Sequence, residues 1–151
     1  MQTLLTAIVT WLSANFGMPA SYDYPRIELV PAAEMEAVRL RGQGSGESPG
    51  TSQPAPRGGG RDIEGLYDDA SRTIYLPKGW TGATPAERSV LVHEMVHHLQ
   101  NVAGLKYECP EAREELAYSA QDRWLARSGR NIMKEFKLNK MTLLVRTRCM
   151  Y

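Results

Sequence analysis

The stretch "SVLVHEMVHHLQ", residues 89 to 100, decides how the rest of the chain is read. With about 3.6 residues per helical turn, Leu91, Val92, Met95, Val96, Leu99, Val102 and Ala103 fall on one broad apolar face. His93, Glu94 and His97 fall on the other side, with Val90 and Asn101. The helix start is written just upstream. Thr84-Pro85-Ala86-Glu87 sets threonine at the N-cap, proline at the first helical position and glutamate at N3, a capping box. Gly104 stops the pattern, so the spacing predicts a helix from Pro85 to Val102 with one core face and one separate polar face.

The polar face carries chemistry. Residues four apart are neighbours on a helix surface, so His93 and His97 can turn both imidazoles toward one metal ion. Glu94, one step around, stands near such a metal without having to bind it. That position suits a general base acting on a metal-bound water. His98 points to neither the ligand side nor the centre of the apolar side, and no metal role is expected of it.

Catalytic zinc takes three protein ligands and keeps one position open. All three histidines of the chain lie within residues 93 to 98. The third ligand must therefore be an acid. "PEAREELAYSAQDRWLARSG", residues 110 to 129, predicts a second helix that stops near Ser128-Gly129. Ala117, Tyr118, Gln121, Trp124 and Leu125 share its inward face, and Glu114 sits within that face. A carboxylate there is costly unless it is paired or metal-bound, so Glu114 is the leading candidate. Glu111, otherwise a helix-dipole partner, and Glu115, otherwise solvated, remain alternatives. Gln121 reads either as a support for a ligand or as an amide at the core rim.

On these two segments, "HEMVH" at 93 to 97 and "EELAY" at 114 to 118, the chain resembles the zincin metallopeptidases with two histidines and a distal glutamate. Residues 84 to 128 are also similar to a small bacterial family of zincin-like proteins of unassigned function. The resemblance implies zinc held by His93, His97 and Glu114, with Glu94 as base. It implies a peptide or protein substrate laid against an edge strand, here the one near Arg72 to Leu76. Zincins often add a tyrosine or histidine that stabilises the oxyanion. No residue is assigned to that role here, and Tyr75, Tyr107 and Tyr118 read as packing tyrosines.

Outward from this region the chain reads as one α+β domain over residues 1 to 151, with a short antiparallel sheet beside the two helices. Leu4, Leu5, Ile8, Trp11, Leu12 and Phe16 recur at helical spacing, and the segment lacks the positive start of a targeting sequence. It is read as the first helix of the fold. "RIELVP" at 26 to 31 alternates as a strand does, and "AEMEAVRLR" after it suits either a short helix or a second strand. Residues 42 to 60 are rich in Gly, Ser and Pro and too poor in apolar side chains to order themselves, so a flexible loop within the domain is expected. "EGLYDDASRTIYLP" at 64 to 77 predicts a hairpin turning around Asp68 to Ser71, ended by Pro77 and Gly79. "MTLLVRTRC" at 141 to 149 is read as a final strand.

Bulk properties narrow the function. A net charge of +1 argues against nucleic acid as partner. No uninterrupted apolar run is long enough for a membrane span. The two cysteines, Cys109 and Cys149, form either one bridge, which places the protein in the periplasm or outside the cell, or two reduced thiols of the cytoplasm. The expectation from the whole is a zinc hydrolase acting as a peptidase. The alternative is a zinc-binding interaction or regulatory module without turnover, which would favour a closed shell with a fourth ligand such as Cys109 or His98.

Overall fold

The computed structural model describes residues 1–43 and 65–150. Six helices and three strands follow in the order α1 (Gln2–Phe16), β1 (Arg26–Val30), α2 (Ala32–Gln43), β2 (Leu66–Asp68), β3 (Thr73–Pro77), α3 (Pro85–Val102), α4 (Pro110–Ala126), α5 (Ile132–Glu135) and α6 (Lys140–Thr147) among those residues. The class is α+β. From residue 44 on, the Gly/Ser/Pro-rich loop expected over 42 to 60 lies outside the described residues.

The central element is α3. Its apolar face meets Leu5, Ile8, Val9 and Leu12 of α1 and Ile74 and Leu76 of β3, all buried in one core. Its other face is also covered. Every residue from Ser89 to Gln100 is buried, including His93, Glu94 and His97. The polar face predicted for this helix is not left to solvent: α4 and β2 pack over it. A sequence wheel shows which side is polar but not whether a second element covers it.

The N-terminus of α3 follows the sequence only in part. The Thr84 side chain accepts from Glu87 N at 3.1 Å. The Glu87 carboxylate reaches further back and accepts from Thr81 N, Thr81 Oγ1 and Gly82 N at 2.7, 2.8 and 2.6 Å. Half of the expected box forms, and its glutamate ties down the preceding loop instead. Gly82, with φ of +74°, lies so close to the Trp80 ring that a Cβ would meet it at 2.8 Å.

The sheet has the order β1-β3-β2, with β1 parallel and β2 antiparallel to β3. The hairpin pairs Leu66 with Tyr75 and Asp68 with Thr73. At its turn the Asp68 carboxylate accepts from the Ser71 backbone and hydroxyl, and Arg72 adopts φ of +51°. Two expectations change. The sheet is mixed, with β1 parallel and β2 antiparallel to β3, because alternation does not encode strand direction. The Arg72–Leu76 strand is also the central one, paired on both sides, so no peptide can add to it. Among the described residues the edge beside α3 is β2.

The segment "AEMEAVRLR" is helical, and α1 is part of the core, with Trp11 edge-on to Phe16 and Trp124. The expected C-terminal strand is the helix α6, whose N-cap Asn139 accepts from Thr142 N at 2.8 Å. No described helix is long and apolar enough to cross a membrane.

Cys109 and Cys149 are bridged, with Cα atoms 5.8 Å apart, tying the start of α4 to the residues after α6. The closed loop spans 40 residues. Chain entropy alone assigns such a loop about 4 kcal/mol, and measured losses run roughly 2–5 kcal/mol. No side chain of α6 is buried, so the bridge supplements only a surface packing against α4 and the Arg146–Tyr118 bond. We expect Cys149→Ser to lower the unfolding free energy by about 2–4 kcal/mol. Denaturant melts of wild type and variant, each with and without reductant, check this; curves for oxidised wild type and variant that superimpose would refute it.

Candidate metal centre

Three side chains from two helices converge. Among the described residues, His93, His97 and Glu114 form one group whose potential ligand atoms all lie within 4.8 Å of one another. His93 Nε2 and Glu114 Oε2 are 2.8 Å apart, and His97 Nε2 and Glu114 Oε1 are 3.1 Å apart. The two imidazoles come from successive turns of α3, with ring centroids 5.1 Å apart. Of the three acids considered for the third position, the fold brings Glu114 to the pair. Glu115 is exposed and Glu111 sits in the first turn of α4; neither joins the group.

The outer ring nitrogens are fixed by amides. His93 Nδ1 is 2.9 Å from Gln121 Oε1, and His97 Nδ1 is 2.9 Å from Gln100 Oε1. The amide ends are oriented by their other partners. Gln121 Nε2 donates to Ser89 Oγ at 3.3 Å, and Gln100 Nε2 donates to the Arg113 carbonyl at 3.2 Å. Both amide oxygens therefore face the histidines and accept from Nδ1–H. This leaves both Nε2 atoms for whatever lies between them and Glu114. Gln121 is buried and bonded to His93 rather than standing at the core rim. Gln100 was missed, because its face on the wheel is ambiguous and only the path of α4 gives it a partner.

The electrostatics follow from this geometry. Burial pushes the Glu114 carboxyl up, but hydrogen bonds from His93 and His97 outweigh it and hold the group well below the usual carboxylate range. Burial lowers the His97 pKa, while the Glu114 hydrogen bond and charge, the Glu94 charge and the Gln100 hydrogen bond together raise it. Without a metal the Glu114 carboxylate is thus held charged between the two rings, and its charge in turn favours a proton on His97. Its stabilisation has two edges. The Glu114 part is present above the ordinary carboxylate value of 4.5 and is lost as pH falls through the depressed value. The His97 part is complete below the ordinary histidine value of 6.5 and is lost as pH rises through the raised value. Chelator-treated protein should accordingly melt highest between pH 4.5 and 6.5 and fall toward pH 8. Each kcal/mol lost lowers Tm by roughly 2–4 °C for a chain of this size. A melting profile that is flat, or that rises toward pH 8, would contradict the pairing.

Glu94 lies outside the trio but in the same cavity, which has a volume of about 580 Å³. It is 6% exposed. Gly65, just before β2, presses on it: a Cβ there would stand 2.7 Å from Glu94 Cγ and 3.0 Å from Val90 Cγ1. Only glycine lets the start of β2 come this close, and Leu66 and Tyr67 then line the cavity.

The surrounding residues explain why β2 and α4 hold their places. His98, expected as a boundary residue, is buried at 1% exposure. Its Nε2 donates to the Asp23 carbonyl at 2.7 Å, so its Nδ1 accepts from the Tyr67 hydroxyl at 3.1 Å. Burial pushes its pKa down, which keeps it neutral. Asn101 Nδ2 donates to the same tyrosine oxygen at 2.8 Å. Arg113 grips Asp69, in the hairpin turn, with two bonds of 2.7 and 2.9 Å. Of the three tyrosines weighed, Tyr118 alone lines the cavity. Its ring stands edge-on to His93 at 4.7 Å.

The fold and the site define a small α+β domain with a three-donor candidate metal centre. The model of a family described as a domain of unknown function (DUF6647) matches residues 1–151, and the chain belongs to that family. Comparison with curated proteins finds no match, and neither does comparison with solved structures.

Proposed function

We propose that this protein is a zinc-dependent hydrolase of the zincin type, acting as a peptidase. The reading is carried by one observation: two buried histidines and a glutamate, each histidine backed by an amide, share a cavity with a further glutamate that is not part of the trio. The donor set suits zinc, which favours nitrogen and oxygen ligands in this number at catalytic sites. A zinc ion held by His93, His97 and Glu114 would supply Lewis-acid polarisation of a carbonyl and lower the pKa of water to about 7.

The chain's own groups carry the proton transfers. Glu94 takes a proton from the attacking water and returns it to the nitrogen of the leaving amine, so one water is consumed and an acid and an amine result. Gln121 and Gln100 keep the histidines in the tautomer that offers Nε2. The short edge strand β2, next to Glu94, gives an extended peptide a place to pair. The non-catalytic alternative calls for a fourth donor. Cys109 is bridged to Cys149, and His98 is bonded to Tyr67 and Asp23.

The direct test is incubation of zinc-loaded protein with a pool of defined peptides, read by mass spectrometry. New termini should accumulate, cease on chelation and resume when zinc is restored. A fully loaded protein that cleaves nothing in the pool would favour the non-catalytic module.

A further inference from the structure

The C-terminal end of the chain carries charge that the candidate site does not use. Residues 130 to 151 hold six of the 18 basic residues, Arg130, Lys134, Lys137, Lys140, Arg146 and Arg148, with Glu135 as the one acid among them. The segment is therefore +5 on a chain whose total is +1, and the rest of the chain is −4. Arg130 is paired with Glu135 at 2.6 Å and Arg146 is bonded to Tyr118, so both are engaged within the fold. Lys134, Lys137, Lys140 and Arg148 are exposed, and among the described residues none of them enters an ion pair. Apolar side chains stand among these charges. Met141, Leu144 and Val145 of α6, and Met150 beyond it, are each at least half exposed. The first three are spaced i, i+3 and i+4, so they form one stripe along the helix. The half-buried Leu143 and Thr147, with Arg146 on Tyr118, turn the other side of α6 to α4. One end of α6 is fixed by the Asn139 cap and the other by the Cys109–Cys149 bridge. A helix pinned at both ends cannot roll its apolar stripe inward.

We propose that α6 and its flanking lysines form a docking surface for an anionic lipid bilayer, which the protein binds peripherally. The inference does not depend on the hydrolase reading. A helix with basic residues beside an apolar stripe lies in the plane of the membrane interface, its apolar side chains among the acyl chains and its charges at the headgroups. Each basic residue near an anionic surface strengthens binding by roughly 5-fold. Other occupants fit less well. Nucleic acid would take up the charges and leave the stripe in water. A second copy of the chain would set two +5 segments against each other. A partner protein needs about 800 Å² of surface from each side, and the two turns of α6 are only about 12 Å long. A bilayer uses the charge and the stripe together and asks for no matched shape. Phe136 and Leu138, from the same segment, line the cavity of the metal trio, so docking holds that cavity beside the membrane.

The test is sedimentation of the full-length, disulfide-bonded protein with sucrose-loaded vesicles at low salt. One set is phosphatidylcholine alone; the other contains about one-third phosphatidylglycerol. The protein should partition onto the anionic vesicles at least about 10-fold more strongly, and the difference should fade toward about 1 M salt as the charges are screened. Lys137→Gln/Lys140→Gln should weaken that binding by about 25-fold. Lys78→Gln, which removes an exposed lysine outside the segment, should leave it within about 2-fold. Leu144→Ser/Val145→Ser should weaken it by about 10-fold or more, since the stripe loses two of its side chains. All these positions are exposed, and thermal melts matching the parent show that each variant is folded. Equal binding to both vesicle types, or a Lys78 variant as weak as the lysine pair, would overturn the inference. A serine variant that binds as the parent does would show attraction by charge alone, as for any polyanion, and would overturn it as well. A concentration-dependent dimer that the same serines abolish would assign the stripe to a second copy instead.

Discussion

Protein carrying His97→Ala should purify without zinc, while the parent chain should hold about one zinc per molecule. His97 is 6% exposed, supplies one of three donors and is locked to Gln100. Zinc bound at protein sites gains about 10–16 kcal/mol in the best-studied small domains, so one lost ligand of three costs on the order of 3–5 kcal/mol, or roughly 10²–10⁴ in affinity. Elemental mass spectrometry on purified protein decides it. A graded companion keeps the result from being a matter of misfolding. Gln121→Leu leaves all three donors in place but removes the acceptor that orients His93. It should weaken zinc by about 10–100-fold without emptying the site. If both variants hold zinc as the parent does, the trio is a buried ion cluster and nothing more.

The parts of this site that were legible in the sequence are those written in local spacing. Two histidines four apart on a capped helix can only lie together, and a glutamate within the inward stripe of the next helix needs a partner. His93, His97, Glu94 and Glu114 all follow from that reasoning. What was not legible depends on which element covers which. The wheel marks the polar face of α3, but no pattern within α3 records that α4 lies over it. Gln100 is held in place by α4, through its bond to the Arg113 carbonyl. That contact is tertiary and leaves no local trace.

Two misreadings had a different cause. The C-terminal "MTLLVR" looked like a strand because Leu143, Leu144 and Val145 are consecutive. The competing signal, Asn139 three residues before Thr142, is an N-cap and wins because a capped turn satisfies backbone donors that a lone strand would leave unpaired. The resemblance to zincins implied an edge at Arg72–Leu76, but a resemblance on two helices carries no information on the pairing of that strand with β1. The register Ile27 to Ile74 and Leu29 to Leu76 closes that side. Moving the edge to β2 has a functional consequence. Among the described residues the edge strand now follows Gly65, which lies directly against Glu94, so on the hydrolase reading proposed above the strand offered to a substrate and the candidate base adjoin.

Glu94→Gln should keep its zinc and lose its turnover. Glutamine preserves the shape beside Gly65 and Val90 but cannot take a proton. General acid–base contributions run to about 10²–10⁴-fold, and kcat should fall by that factor with KM little changed. Gly65→Ala is the sharper second variant because it leaves every ionisable group intact. Its new methyl group would stand 3.1 Å from Glu94 Oε1 and closer still to Cγ, so the carboxylate must move. Displacing a positioned group by about 1 Å can cost on the order of 100-fold. Zinc content should stay at that of the parent in both variants, since neither touches His93, His97 or Glu114. Full activity in Glu94→Gln would exclude Glu94 as the base. Loss in Glu94→Gln with full activity in Gly65→Ala would keep the base and show that β2 yields to make room. Loss in both, with the metal retained, would place proton transfer at Glu94 and make the closeness of β2 a condition for it.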